Sequence, residues 1–119
     1  MSDVLNTFLE QVRSGQPVEF QDTMDVIAAH YDYTPTRFCN GLGVDPLVNE
    51  AGTNEGSCRI FAFASLHCLD VAETLALFGR YYREDVLGHP EALDHRNIRQ
   101  FMQDGWAGIV FDGKPLRMK

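Results

Sequence analysis

Cys58 to Cys68 is the segment that most restricts how this chain folds: wound as a helix, Ile60, Phe61, Ala62, Phe63, Ala64 and Leu66 leave it apolar around almost its whole circumference. Such a helix is stable in water only if other elements cover it on every side, so it is expected to run through the centre of the molecule. A chain of 119 residues has material for one such centre and not two, because cores become divisible only above roughly 250 residues. A single domain over residues 1–119 follows, with a radius of gyration of roughly 13 to 14 Å. The composition, 45% hydrophobic, supplies the covering elements.

Those elements read as amphipathic helices. Val4, Leu5, Phe8, Leu9 and Val12 recur at helical spacing over residues 1–15, with Ser2 as a candidate cap and Gly15 and Pro17 as terminators. Phe20, Met24, Ile27, Ala28 and Tyr31 form a second stripe, expected to stop before Pro35. After the central helix, Asp70 and Glu73 have the spacing of a capping box, and Val71, Leu75, Phe78, Tyr82 and Val86 continue one stripe as far as Gly88. Asp94 is the expected cap of a last helix that carries Ile98, Phe101 and Met102 and closes at Gly105. Ile109 to Phe111, the Asp112-Gly113 pair and Lys114 to Leu116 read as a short hairpin, with Pro115 confining the second strand to an edge. The fold class is therefore mainly α, about five helices, with a small antiparallel β hairpin. Between Tyr33 and Gly56, prolines and glycines break every period, leaving Arg37 to Cys39 and Leu47 to Asn49 as short strand candidates in a long connection.

The formal net charge is −7, and all of the excess lies before Cys58. An acidic chain repels phosphate backbones, so nucleic acid is not an expected partner. The longest apolar run, Ile60 to Ala64, falls far short of the roughly 18 residues that span a bilayer, so no membrane partner is expected. The N-terminus lacks the basic lead and apolar run of a secretory signal. Three cysteines without a CxxC pair fit a reduced, cytoplasmic protein, and the four histidines lack zinc spacings, so neither a metal nor a cofactor is expected.

Phe38-Cys39-Asn40-Gly41, followed by the unbroken stretch from Leu47 through Asn49-Glu50-Ala51-Gly52-Thr53-Asn54-Glu55-Gly56-Ser57-Cys58-Arg59 to Ala64, resembles the HopJ type III effector family. Phe20 to Met24, Tyr33 to Thr36, Phe78-Gly79, Tyr81 to Arg83, His89-Pro90, Asp94-His95, Asn97 to Arg99 and Gly105 to Gly108 extend the likeness over residues 20–119. The resemblance implies a bacterial protein of uncharacterised activity. It is expected to reside in the cytoplasm, with secretion into a host as the alternative if it is a true effector.

The connection before the central helix holds the candidate chemistry. Gly56, Ser57 and Cys58 are expected at a helix start, where free amides and the helix dipole stabilise negative charge. With Arg59 and the polar residues Asn49, Glu50 and Asn54, they suit a small anion, and an unidentified protein partner is the other possibility. Alternatively, the same dipole would activate Cys58 as the nucleophile of a small hydrolase or acyltransferase, with His89 or His95 as base. Whether the protein is an enzyme stays open at this point. In either case the Asn49-to-Cys58 loop and the His89-to-His95 connection are expected to meet at one concave patch, with Asp94, His95 and Asn97 as anchor.

Overall fold

A computed structural model describes residues 3–119. The radius of gyration is 13.7 Å. Five α-helices and five short strands follow in the order α1 (Asp3–Arg13), α2 (Phe20–His30), β1 (Tyr31–Tyr33), β2 (Phe38–Asn40), β3 (Leu47–Asn49), α3 (Glu55–Leu66), α4 (Val71–Ala76), α5 (Arg96–Asp104), β4 (Ile109–Phe111) and β5 (Leu116–Met118). A π-helical turn at Tyr81–Val86 and a 3-10 turn at Gly105–Gly108 precede and follow α5. The candidate cap Ser2 lies outside the described residues.

Helix α3 is the centre that its composition demands. Ile60, Phe61, Phe63 and Ala64 are 0% exposed, and each buried Phe or Ile contributes about 1.5 to 3 kcal/mol from burial. The Phe61 ring touches Phe38, Phe78, Phe101 and Trp106, which ties β2, the segment after α4, α5 and the 3-10 turn to one residue. Phe63 does the same for α1 and β1 through Phe8 and Tyr31.

Two expectations are corrected by tertiary pairing. The stripe of α2 was expected to remain helical through Tyr31, but the helix ends at His30, because Tyr31–Tyr33 pairs with β5 and Lys119 N–H donates to the His30 carbonyl. The C-terminal strands do not form a hairpin with each other. Strand β5 pairs with β1, and β4 pairs with β2, whose other edge holds β3, all antiparallel. Both ladders share one register: Tyr31 faces Met118 and Phe38 faces Phe111, the same number of steps along each segment. Residues 31–40 and 109–118 thus form one long ribbon, interrupted where Pro35 and Pro115 lack the N–H that a ladder requires. Thr34 N–H to Pro115 O (2.8 Å) and Asp112 N–H to Arg37 O (3.0 Å) carry the pairing across the gap.

The capping box at α4 forms as its spacing predicts: Glu73 N–H donates to Asp70 Oδ1 at 2.7 Å and Asp70 N–H to Glu73 Oε1 at 2.9 Å. The expected continuous helix to Gly88 breaks, however, after Ala76. Gly79 adopts φ +62° and lies against the start of α2, where a Cβ would stand 2.5 Å from Phe20 N. The inward stripe survives the break, since Phe78 and Val86 are buried and Tyr82 is partly so.

Candidate functional site

Two helices begin at the same hollow. Asn54 precedes α3 and His95 precedes α5, and both adopt the left-handed conformation, with φ/ψ of 49°/46° and 49°/47°. This region is costly for residues other than glycine, and asparagine and histidine are among those that tolerate it best. The expected cap Asp94 is displaced by His95 because its carboxylate is engaged by Arg99, at 2.7 Å to Nη2. Neither true cap uses its side chain on its own helix. Asn54 Nδ2 donates to Asn49 Oδ1 at 2.7 Å, and His95 Nε2 donates to Asp85 Oδ2 at 3.1 Å. The first-turn amides of both helices therefore keep no intrahelical acceptor. Both ends line a cavity of about 570 Å³, α3 through Gly56 and Ser57, α5 through Arg96, Asn97 and Ile98.

Beside the helix ends the lining is apolar: Phe20, Leu47, Phe78, Tyr81 and Leu93. Phe20 and Tyr81 meet edge to face at 5.1 Å, and the Tyr81 ring lies 5.2 Å from that of His95. Gly56 leaves room for this lining, since a Cβ there would stand 2.8 Å from Phe20 Cζ. Asp94 also lines the cavity, with its carboxyl held below the usual carboxylate range by the Arg99 guanidinium. Arg96 is exposed and has no ion-pair partner among the described residues, in contrast to Arg80, Arg83 and Arg99, which all meet carboxylates.

A buried set of asparagines fixes the two helix starts relative to each other. Asn97 Nδ2 donates to Asn49 Oδ1 at 2.8 Å, and Asn49 Nδ2 returns a bond to Asn97 Oδ1 at 3.1 Å. Asn40 Nδ2 donates to the same Asn97 oxygen and to the Asn97 carbonyl. Asn40, Asn49 and Asn97 are 0%, 3% and 7% exposed. Only Asn40 Oδ1 lacks a partner among the described buried side-chain atoms. Buried amides of this kind are stable only when their donors and acceptors match one another, which sets the spacing between β3 and α5.

The sequence-derived candidates divide between two places. Asn49, Asn54, Gly56, Ser57 and His95 line the cavity; Cys58, Arg59, Glu50 and His89 do not. Cys58 is 1% exposed, and its Sγ donates to the Thr36 carbonyl at 3.6 Å rather than to a histidine nitrogen. Burial pushes its thiol above the ordinary value, the opposite of what a nucleophile requires. Arg59 stacks over Tyr33, with its guanidinium carbon 4.0 Å from the ring centroid, and Tyr33 donates to Glu55 Oε1 at 3.2 Å. Burial, followed by the Cys58 and Glu55 charges, raises the Tyr33 phenol. Glu50 pairs with Arg37, and the exposed His89 imidazole has no hydrogen-bond partner among the described residues. Sequence reasoning missed Phe20, Tyr81, Leu93 and Arg96, whose approach depends on how α5 and the π-helical turn pack. Among the described residues no group of His, Cys, Asp and Glu could hold a metal ion, and no helix is long and apolar enough to cross a membrane.

Comparison with known proteins places these features in a family context. The model of the HopJ type III effector protein family matches residues 5–116, so the likeness reaches into α1, upstream of Phe20. The crystal structure of VPA0580, a protein described as of unknown function, is 50% identical; the alignment covers 100% of this chain and 97% of that one, with a TM-score of 0.92. No curated protein matches the chain.

Proposed function

The chain belongs to the HopJ type III effector family, and on that premise we propose that it is a non-catalytic module binding a small amphiphilic anion in the cavity between α3 and α5. The observation that carries this reading is the meeting of two helix N-termini, neither capped by its own side chain, at one hollow that is also lined by apolar side chains. Helix starts attract negative charge through aligned dipoles and free amides, and Arg96 adds a cation that no carboxylate among the described residues pairs with. A phosphate or carboxylate head faces Gly56, Ser57, Asn97 and Ile98, while an apolar or aromatic body lies against Phe20, Phe78 and Leu93. Compared with the sequence reading, Arg96 takes the place assigned to Arg59. The cysteine-hydrolase alternative gains no support from the site, because Cys58 faces the Thr36 carbonyl and no histidine hydrogen-bonds it among the described residues. We assign the module to a bacterial cytoplasm, a compartment that suits three free cysteines. The docked α1, with Leu5, Phe8, Leu9 and Val12 buried, also favours residence over delivery into a host.

Titration of the 15N-labelled protein with phenyl phosphate tests the site. Saturable shifts of the Gly56, Ser57, Asn97 and Ile98 amides are expected, with a Kd of about 1 mM or tighter. Arg96→Glu should weaken binding about tenfold, which corresponds to ~1.4 kcal/mol. Equal binding of the neutral analogue benzyl alcohol, or shifts confined to other regions, would refute an anion site.

A further inference from the structure

A second recess lies on another side of α3, along the outer edge of the ribbon. Ala62, Ser65 and Leu66 of α3 form one wall, and Phe111 with Gly113 to Met118 forms the other, enclosing about 450 Å³. A further hollow of about 400 Å³ shares Ser65 and Phe111 and extends the groove to Cys68, Trp106 and Ile109. The groove thus follows the whole of residues 109–118, whose extended length is about 30 Å. Leu66 is 55% and Met118 67% exposed beside it.

The wall formed by residues 109–118 is an unpaired strand edge. Strand β4 is terminal in its sheet and β5 has β1 on one side only. Gly108 and Asp112 turn their backbone groups towards residues 31–41, as the bonds from Gly41 N–H and to Arg37 O show. Alternation along an antiparallel ladder therefore leaves the N–H and C=O of Phe111 and the C=O of Ile109 on the outer edge, the Ile109 N–H being taken by the Trp106 carbonyl. Pro115 and Lys119 use their carbonyl and N–H on residues 34 and 30 in the same way, which places those of Leu116 and Met118 outward. Proteins commonly protect such an edge, since it offers a template for another strand.

Charge identifies what the edge would accept. In an acidic chain, the last seven residues carry Lys114, Arg117 and Lys119 and no acid. None of the three forms an ion pair among the described residues, whereas Arg37, Arg80, Arg83 and Arg99 do. Lys114 and Arg117 line the groove itself. We propose that this groove docks an extended segment of a partner protein, in which apolar residues alternate with Asp or Glu, as an added strand on the edge of residues 109–118. Main-chain bonds to Ile109, Phe111, Leu116 and Met118 hold the segment. Its apolar side chains fill the hollows against α3, and its carboxylates meet Lys114 and Arg117. This mode of recognition uses backbone bonds for affinity and alternate pockets for specificity.

The probe is a fluorescein-labelled, N-acetylated peptide of alternating Val and Glu, eight residues long, titrated with the full chain and read by polarisation and amide shifts. The proposal expects saturable binding that weakens with salt and shifts at Ile109, Phe111 and Leu116. Lys114→Glu with Arg117→Glu, both exposed or salt-bridge-free positions, should weaken binding at least tenfold while circular dichroism stays unchanged. A peptide N-methylated at alternate residues cannot donate from those positions and should lose binding to the unaltered protein, so protein folding does not enter that arm. Equal affinity for the N-methylated peptide, or for a control peptide of the same length in which Lys replaces each Glu, overturns the proposal. So does an absence of saturable binding, or a concentration-dependent dimer in sedimentation that the peptide fails to dissociate, which would assign the edge to a second copy of this chain. None of these outcomes depends on phenyl phosphate binding at the α3–α5 cavity.

Discussion

Replacing Asn97 by Ala removes the side chain that holds the two helix starts together. Three side-chain bonds disappear: from Asn40 and Asn49 to Asn97 Oδ1, and from Asn97 Nδ2 to Asn49 Oδ1. At about 0.5 to 1.5 kcal/mol for a neutral bond the gross loss is about 1.5 to 4.5 kcal/mol. Each partner keeps a fallback, however. Asn40 retains the Asn97 carbonyl at 3.0 Å, Asn49 Nδ2 the Phe38 carbonyl at 3.5 Å, and Asn49 Oδ1 the Asn54 amide at 2.7 Å. The expected destabilisation is thus in the middle of the range, about 2 to 3 kcal/mol, lowering Tm by roughly 8 to 15 °C for a chain of this size. Asn97→Asp should cost more than Asn97→Ala although it is isosteric, because it sets a buried carboxylate oxygen against Asn49 Oδ1 where a donor stood. Urea unfolding followed by circular dichroism measures both. A loss below about 0.5 kcal/mol for Asn97→Ala, within the range of ordinary surface substitutions, or an Asp variant more stable than the Ala variant, would show that the asparagine set does not fix the site.

Two further outcomes follow from the titratable groups. Burial raises the Cys58 thiol, so iodoacetamide near neutral pH should modify the exposed Cys68 first and Cys58 only on unfolding; peptide mapping that finds Cys58 labelled as fast as Cys68 would contradict its structural role. Burial, and secondarily Arg13, holds the His67 imidazole below its ordinary value. The unfolded chain therefore takes up its proton first: this contribution is complete above about pH 6.5 and declines as pH falls through and below that value towards the lower folded pKa. In His67→Gln the slope of stability between about pH 6.5 and 5 should flatten, and an unchanged slope in urea titrations at those pH values would refute the assignment.

The features fixed by local spacing are readable from the amino-acid order. The apolar circumference of α3, the stripes of α1 and α2 and the Asp70–Glu73 box depend on residues a few positions apart, and the helix itself brings those together. The same locality explains why Gly56, Ser57 and Cys58 were recognisable as the start of a helix, with Asn54 among the polar residues beside it. It does not extend to direction. Ser57, Cys58 and Arg59 follow one another, yet at 3.6 residues per turn their side chains diverge by about 100°. One lines the cavity, one is buried against Thr36 and one stacks on Tyr33. Which of them reaches a ligand depends on what packs around α3. The ribbon of residues 31–40 and 109–118 is decided in the same way: local turn chemistry at Asp112-Gly113 favours a hairpin, but pairing with a distant segment satisfies more backbone groups and buries Leu116 and Phe38. The second helix start, with His95 in a left-handed turn, is held at the cavity by the bonds of Asn97 with Asn40 and Asn49. Amide pairs across 48 residues have no periodic signature, so nothing short of the folded chain brings them together.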